Sequence, residues 1–151
     1  ALRAAIDQLQ DMTPVYEDIG EYMIGATKAR FLTGTSPGGA KWAPKSEATL
    51  ARYKRLGYGT LSKPLKGPTG RLSNEIVKFV SRDGVVIGSS LIYSRVMQDG
   101  AAKGEFGNDA RGHPIPWGRI PAREWLGISA DDATNIVEIV EEHLAEALDA
   151  S

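Results

Sequence analysis

Residues 75–89 read EIVKFVSRDGVVIGS, and this stretch decides the fold class. Residues 75–81 and 85–89 are rich in β-branched and aromatic side chains, a composition typical of strands. Between them lies Arg82-Asp83-Gly84, in which Asp83-Gly84 indicates the tight turn of an antiparallel hairpin. One further strand around Arg119-Ile120 would extend the sheet. A sheet this small is marginal alone, so helices elsewhere in the chain must cover it or other strands must extend it.

Helical patterns flank the hairpin on both sides. Before it, apolar residues recur at helical spacing over residues 2–32, interrupted by Thr13-Pro14. Because proline costs little at the first position of a helix and Thr13 can cap the following turn, we expect a short helix that leads into a longer one. After the hairpin, residues 130–148 form the predicted last helix, with Ser129 as its N-cap and Asp132 three residues further on.

Two shorter helices complete the predicted regular structure. One spans residues 46–56, with Ser46 as its N-cap, and the other spans residues 91–98 and is closed by Gly100. The sequence therefore predicts an α+β fold, in which a small, mainly antiparallel sheet is packed by long N- and C-terminal helices. The length of 151 residues is that of one ordinary domain, so we expect a single domain over residues 1–151.

Two long loops separate these elements. Of the 25 glycines and prolines, 20 lie in residues 34–70 and 100–127. Connections in compact domains typically take about 4–6 residues, and much longer ones are usually functional or disordered. A subunit that interlocks with its neighbours would explain both the long loops and the open edges of the small sheet. We therefore expect the loops to serve assembly, and residues 34–45 and 100–118 to become ordered when subunits associate.

Charge is strongly segregated along the chain, although the net charge is only −1. Residues 1–33 carry a net charge of −2, residues 34–123 carry +9, and residues 124–151 carry −8 without any basic side chain. Such a chain can fold its acidic helix onto its own basic middle, present that middle to nucleic acid, or pair opposite faces between subunits. The sequence alone leaves these three uses open.

The composition argues against several classes of protein. The chain has no cysteine, and therefore no disulfide, thiolate metal site or cysteine nucleophile, which suits a reducing cytoplasm. No run approaches the roughly 18 apolar residues of a membrane span, so we expect no contact with a membrane. The first residues lack the pattern of a signal peptide, so nothing in the sequence predicts export.

No stretch of the chain carries the signature of a catalytic or ligand-binding site. Residues 34–41, GTSPGGAK, fail as a phosphate-binding loop because Ala40 separates the glycines from the lysine and Trp42 follows it, so a turn that ends a helix is the better interpretation. The two histidines, His113 and His143, lack metal-ligand spacing. The carboxylates of the last helix are typical of a solvated face. We therefore predict no catalytic, cofactor-binding or metal-binding residue, and no enzyme.

A cluster of basic residues in the middle of the chain admits a second function. Basic groups bind phosphates, and the interleaved Tyr53 and Tyr58 are available to stack on bases. The chain has no recognisable nucleic-acid module, however, so a charge-complementary protein surface is the favoured use and a DNA-binding protein is the alternative. The basic residues are Arg52, Lys54, Arg55, Lys63, Lys66 and Arg71.

Several short motifs occur in a fixed order along the chain. They are Phe31 with SPGGAKWAP at 36–44, TGRL at 69–72, VIGS at 86–89, YSRVMQDG at 93–100 and IPAREWLG at 120–127. In this order the chain resembles the phage virion morphogenesis family, the tail completion proteins of Mu-like and P2-like phages. The resemblance covers essentially the whole chain. It departs at Ser94, where the family usually has alanine, and at Met97, where the family often has histidine.

The resemblance implies a structural role with no catalytic site and no cofactor. It implies a subunit of the head–tail joining (neck) ring or the tail-completion ring of a tailed phage, located in the virion at the head–tail junction or tail end and made in the host cytoplasm. The implied partners are further copies in a ring, expected to be a hexamer, and neighbouring neck, connector or tail-tube proteins. DNA is expected to pass through the channel without sequence recognition.

Two sets of candidate residues follow. Pro121 restricts Ile120 to an extended conformation, and Trp125 supplies a large apolar anchor, so this segment is expected to fix the last helix against the sheet. Gly70 and Gly100 suit turns or close approaches. The motif residues expected to determine packing are Trp42, Gly70, Leu72, Tyr93, Gly100 and Pro121. The candidates for subunit contacts are Arg52, Lys54, Arg55, Arg123, Trp125, Glu141, Glu142 and Glu146.

Overall fold

The computed structural model describes residues 2–150. Its helices and its antiparallel hairpin confirm the predicted α+β class. The elements are α1 (Leu2–Gln10), α2 (Thr13–Thr33), α3 (Glu47–Arg55), α4 (Arg71–Asn74), β1 (Val77–Ser81), β2 (Gly84–Gly88), α5 (Ser94–Asp99) and α6 (Ala130–Asp149). The single turn α4 lies in a glycine-rich stretch next to the hairpin, and the sequence pattern does not predict it.

The hairpin forms where the sequence predicts it, with a turn shifted by one residue. β1 pairs antiparallel with β2, from Val77 opposite Gly88 to Ser81 opposite Gly84. The turn is therefore Arg82-Asp83 and not Asp83-Gly84, because Gly84 pairs within β2. The expected third strand is not formed in the described chain. Around Arg119-Ile120 there is one isolated bridge, in which Ile120 exchanges backbone hydrogen bonds of 2.8 and 2.9 Å with Ala101.

Helix α2 lies between the hairpin and the last helix. Its buried residues Val15, Ile19 and Met23 pack against Val85 and Ile87 of β2 and against a stripe of α6. Contact with β2 and β1 is close at Gly20, where an added Cβ would come within 3.1 Å of Val85 and 2.8 Å of the Lys78 side chain. The stripe of α6 consists of Ile136, Ile139 and Val140.

The last helix is supported mainly by other helices. α6 packs against α1 and α2, and α2 is the element that covers the sheet. The expectation that the segment around Trp125 fixes the last helix against the sheet is therefore corrected: the segment holds α6 against α2. Arg30 of α2 makes this connection, because its side chain reaches both this segment and Asp132 of α6.

A second core cluster draws both long loops into the interior. Phe31, at the end of α2, contacts Trp42 edge-on with ring centroids 5.3 Å apart, and Trp125 at 6.1 Å. Trp42 belongs to the first long loop and Trp125 to the end of the second, so each loop is anchored by a buried tryptophan. The other buried members of the cluster are Leu72, Ile76 and Leu91.

Helix termini follow the predicted capping chemistry with one exception. Ser46 caps α3 by accepting from Thr49 N at 3.2 Å, and Ser129 forms a full capping box with Asp132 at the start of α6. Thr13 does not cap α2. It is the first helical residue, after Met12 as N-cap, and its backbone amide donates to Asp11 Oδ1 at 3.0 Å. Thr13 is therefore too far into the helix to present its hydroxyl to the first free amides.

The second long loop folds back on itself as a hydrogen-bonded arm, residues 101–120. Beyond the Ala101–Ile120 bridge, Gly104 N donates to Pro116 O at 3.0 Å and Phe106 N to Ile115 O at 2.9 Å. Near the tip, Asp109 N donates to His113 O at 2.8 Å. Hydrogen bonds within the arm therefore satisfy many of its own backbone N–H and C=O groups. The arm needs few contacts with the rest of the subunit for this purpose. Its ordering on assembly, like that of residues 34–45, stays a prediction.

Gly100 joins α5 to the arm in a place that tolerates no side chain. Its φ of +73° lies in the left-handed region, and an added Cβ would come within 2.7 Å of both Ala122 N and Ile120 O. Gly107, in the arm, has a φ of +88° and no heavy atom within 4 Å of an added Cβ. Both glycines therefore have left-handed backbone, but only Gly100 lacks space for a side chain.

Replacing each glycine with alanine separates these two constraints. We expect Gly107→Ala to lower the free energy of unfolding by about 1–2 kcal/mol, the cost of left-handed backbone for an L-residue. Gly100→Ala should cost about 1–3 kcal/mol more, because the backbone of residues 120–122 must shift. Urea unfolding of both variants measures the difference, and equal losses would show that the close approach at Gly100 is unimportant.

Candidate interaction surfaces

Helix α3 presents a basic surface to solvent. The Ser46 cap and Glu47 in the first turn favour the helix start, and basic groups in its last turn face the negative end of the helix dipole. Arg52, Lys54 and Arg55 are all exposed. None of the ion pairs in residues 2–150 includes any of the three. Their charge is therefore available to a partner.

Helix α6 presents the opposite charge. Glu141, Glu142 and Glu146 are exposed, and no ion pair of the described chain includes them. On the inner side of the same helix, His143 Nε2 lies 2.6 Å from Asp18 Oδ2 of α2. The acidic helix does not fold onto the basic middle of its own subunit, because it packs against α1 and α2. Of the three uses of segregated charge, an intramolecular pairing is thus the one that this arrangement disfavours.

The structure places Arg123 and Trp125 in the interior of the subunit. Trp125 is 1% exposed, and its indole Nε1 donates to Ser94 O at 3.1 Å. Arg123 is 9% exposed and donates from Nε to Ala43 O at 2.7 Å and from Nη2 to Pro44 O at 2.8 Å. These residues tie the segment before α6 to α5 and to the first loop. The exposed subunit-contact candidates are accordingly those of α3 and α6.

The motif residues mostly surround this segment. Trp42 Nε1 donates to Glu124 O at 2.8 Å, so the first loop is bonded to the segment that Trp125 anchors. Gly70 precedes α4 with a φ of +61°, and Leu72 of α4 enters the core. Tyr93 and Pro121 line a surface cleft instead. The order of motifs along the sequence therefore corresponds to one packed region in space.

A basic cleft of about 490 Å³ lies between α3, α4, α5 and the segment before Trp125. Leu65, Leu72, Met97 and Ile120 form apolar parts of its lining, and Ser46, Thr49 and Thr69 contribute hydroxyls. Its lining contains no carboxylate. Five cationic side chains contribute to its walls: Lys45, Lys66, Arg71, Arg119 and Arg123. The cleft cannot be predicted from the sequence, because its walls come from segments more than 70 residues apart.

A buried polar network joins α2 to α6. Arg30 pairs with Asp132, and its Nη1 also donates to Gly127 O at 3.0 Å. Asp132 accepts from Tyr22 Oη at 2.9 Å and from Ser129 N at 2.9 Å. Burial raises the pKa of Asp132, but the hydrogen bonds from Ser129 and Tyr22 and the charge of Arg30 outweigh it, so the pKa lies below its usual value.

The burial of Arg30 could have been predicted from the sequence. This residue follows Ile19, Met23 and Thr27 at spacings of four, four and three residues, which places a charge on the buried stripe of α2. A charged residue on such a stripe requires a buried partner. That partner is Asp132 of the capping box, which sequence analysis assigned only to the start of α6.

The described chain shows no grouping typical of a metal site. Among residues 2–150, no three His, Cys, Asp or Glu side chains are placed to hold a metal ion. Residues 34–41 form a turn, in which Gly34 ends α2 with a φ of +71° and Trp42 N donates back to Gly34 O at 2.8 Å. No helix in the same residues is long and apolar enough to cross a membrane.

Comparison with known proteins gives one match. The chain matches the model of the phage virion morphogenesis family over residues 1–145. This range is nearly the whole chain, and it confirms the resemblance that the ordered motifs indicate. No curated protein and no solved structure matches the chain.

Removing the charge of Asp132 should destabilise the fold in a pH-dependent way. Asp132→Asn leaves Arg30 buried without its counterion, which typically costs about 3–5 kcal/mol at pH 7. Because the pKa of Asp132 is lowered in the folded state, its stabilisation is full above the unfolded pKa of about 3.9 and is lost as pH falls through the folded pKa. Unfolding from pH 7 to pH 3 should show the gap between wild type and variant narrowing below about pH 4.

Asp131→Asn is the matched control. Asp131 is the exposed neighbour on the same helical turn, so its replacement should change stability by no more than about 0.5 kcal/mol. A gap for Asp132→Asn that stayed constant across this pH range would contradict a lowered pKa at Asp132.

Proposed function

Because the chain belongs to the phage virion morphogenesis family, which has a role in phage virion assembly, we propose that it is a structural subunit of the ring that completes the tail or joins it to the head. The ring consists of copies of this chain, with six as the expected number. It contacts neck, connector or tail-tube proteins on its faces. DNA passes through the channel without sequence recognition, and the subunit has no catalytic task.

The observation that carries this proposal is the pair of oppositely charged surfaces left unpaired within one subunit. The basic surface lies on α3 and the acidic surface on α6, and the two helices do not pack against each other. A contact between two different surfaces of identical subunits is head-to-tail, and it closes into a ring when the rotation between neighbours allows. Charge complementarity of this kind steers association and sets the register of the contact.

The exposed arm and hairpin give the subunit further surface for assembly. Phe106, Ile115 and Trp117 of the arm are exposed, as are Phe79 and Val86 on the uncovered face of the hairpin. Apolar groups in such number on one small subunit support contacts with other proteins of the virion. They also explain why a two-stranded sheet is sufficient in this chain, because neighbours can cover what the subunit leaves open.

DNA binding through the basic middle is the rival function. Ring assembly and DNA binding would use the same basic residues. The two functions are distinguished by whether the protein prefers another copy of itself or DNA. Light scattering reports self-association, and gel-shift titration with duplex DNA reports phosphate binding. Under the proposed function, the wild-type chain assembles into discrete oligomers without DNA, and binding to DNA is weak and independent of sequence.

Reversing the charge of α3 tests the proposed contact. We expect Arg52→Glu, Lys54→Glu and Arg55→Glu together to leave the subunit folded, because each exposed substitution costs within about 0.5 kcal/mol. Assembly should weaken by about tenfold or more, since the variant presents like charges to α6 of the next copy. Wild-type assembly should itself weaken with salt before the fold does, because exposed charges are screened beyond about 8 Å at physiological ionic strength.

A compensating reversal separates a specific contact from a general effect of charge. Glu141→Lys, Glu142→Lys and Glu146→Lys in the same chain should restore part of the assembly if the two surfaces meet. The proposal is contradicted if the α3 variant assembles like wild type, with the same salt dependence, and has lost only its binding to DNA.

A further inference from the structure

The basic cleft holds positive charge that its own subunit does not neutralise. Within residues 2–150, Arg71 is the one cation of these five that pairs with a carboxylate. Its Nε lies 2.7 Å from Glu75 Oε1. Lys66 and Arg119 are exposed and make no described side-chain hydrogen bond or ion pair. A concave wall concentrates the field of such groups more than a flat surface does. The cleft is therefore suited to an anionic partner.

Two cations at the cleft are held in place by backbone carbonyls. Lys45 Nζ donates to Leu61 O and Lys66 O, each at 2.6 Å, and lies 4.4 Å from the centre of the Tyr53 ring. Arg123 uses Nε and Nη2 for carbonyls of the first loop, while its Nη1 makes no described hydrogen bond to the protein. Burial, and after it the charge of Arg123, lowers the pKa of Lys45. A carboxylate or phosphate in the cleft would relieve this repulsion.

Helix α6 carries a row of carboxylates that complements the cations of the cleft. Glu138, Glu142 and Asp149 follow one another at spacings of four and seven residues, so they lie along one face of the helix. All three are exposed, and no described ion pair includes them. Val137 and Leu144 are also exposed, but they lie about 100–160° around the helix from these carboxylates. This edge of α6 is therefore acidic, and the exposed apolar side chains belong to another face.

We infer that the basic cleft is the docking site for the acidic edge of α6 from a second copy of this chain. The inference rests on the proposed function and locates the contact between neighbouring subunits in the ring. None of the cleft's lining residues comes from α1, α2 or α6 of the same subunit, so the acidic edge reaches the cleft only from another molecule. The two surfaces are different, as a head-to-tail ring requires.

The lining of the cleft favours a helix over the phosphate backbone of DNA. Met97 and Ile120 are apolar, and they offer nothing to a phosphate. The volume of about 490 Å³ lies within the roughly 300–1,000 Å³ of ordinary ligand sites, so the cleft takes the side chains along one helix edge. A DNA duplex would instead require an extended row of cations spaced along its phosphates. The experiment must nevertheless be able to detect DNA bound in this cleft.

The test reverses two cations of the cleft whose side chains make no hydrogen bond or ion pair within residues 2–150. Lys66→Glu with Arg119→Glu changes the cleft and leaves the Lys45 and Arg123 bonds intact. Sedimentation velocity should show self-association of the full chain weakened by at least about tenfold. Arg3→Glu with Lys28→Glu is the matched control, because it makes the same change in net charge at exposed positions outside the cleft, the arm and the hairpin. The control should assemble as wild type does.

Rescue and cross-linking show whether α6 is the partner. Adding Glu138→Lys and Glu142→Lys to the cleft variant should recover a large part of the lost association. Because the chain has no cysteine, Arg119→Cys mixed with Glu142→Cys in a second batch of protein should give an intermolecular disulfide under mild oxidation. Mixing Lys28→Cys with Glu142→Cys should give none.

Each alternative outcome has a distinct meaning. If wild type forms rings and the cleft variant does so equally well, this inference fails while the proposed function stands. If the cleft variant keeps self-association and loses retention on DNA, the cleft binds phosphates and the inference is overturned. If wild type does not self-associate at any concentration tested, both the inference and the proposed ring are wrong.

Discussion

The buried contact between Arg30 and Asp132 connects the three parts of this subunit. Arg30 belongs to α2, and besides Asp132 it bonds the carbonyls of Trp125 and Gly127. Asp132 at the same time closes the capping box that starts α6. One guanidinium therefore holds the central helix, the segment that places Trp125 in the core, and the last helix. Without it, the buried polar contact between the two helices would be reduced to the hydrogen bonds of Tyr22, and the pair of His143 with Asp18 lies nearer the surface.

This connection determines where the charged surfaces lie. The same segment that Arg30 holds carries Arg123, whose bonds to the first loop form one wall of the basic cleft. α6 leaves this segment in the direction of α1, so its carboxylates end up on the side of α2 away from the hairpin. Opposite charges that are adjacent in the sequence are thus kept apart in the subunit. Within residues 2–150 the two surfaces do not pair with each other, which is the basis for proposing a second copy as the partner.

The elements that could be predicted from the sequence are those with local signals. The hairpin, the caps at Ser46 and Ser129, and the break before the long α2 each depend on a few neighbouring residues. The exact turn, the lack of a third strand in the described chain and the single turn α4 depend on tertiary contacts that no local pattern contains. Charge alone could not show that Arg123 is buried, because the carbonyls that bond it lie 79 and 80 residues away in the chain. The cleft could not be predicted for the same reason.

The proposed role of this chain in completing a joint of the virion can be tested by electron microscopy of defective lysates. Cells that produce the phage with this gene disrupted are lysed, and heads, tails and complete particles are counted before and after purified protein is added. We expect separate, DNA-filled heads and tails that the wild-type protein joins and the α3 variant does not. Complete infectious particles without the protein, or the absence of tails altogether even when the protein is supplied, would contradict it.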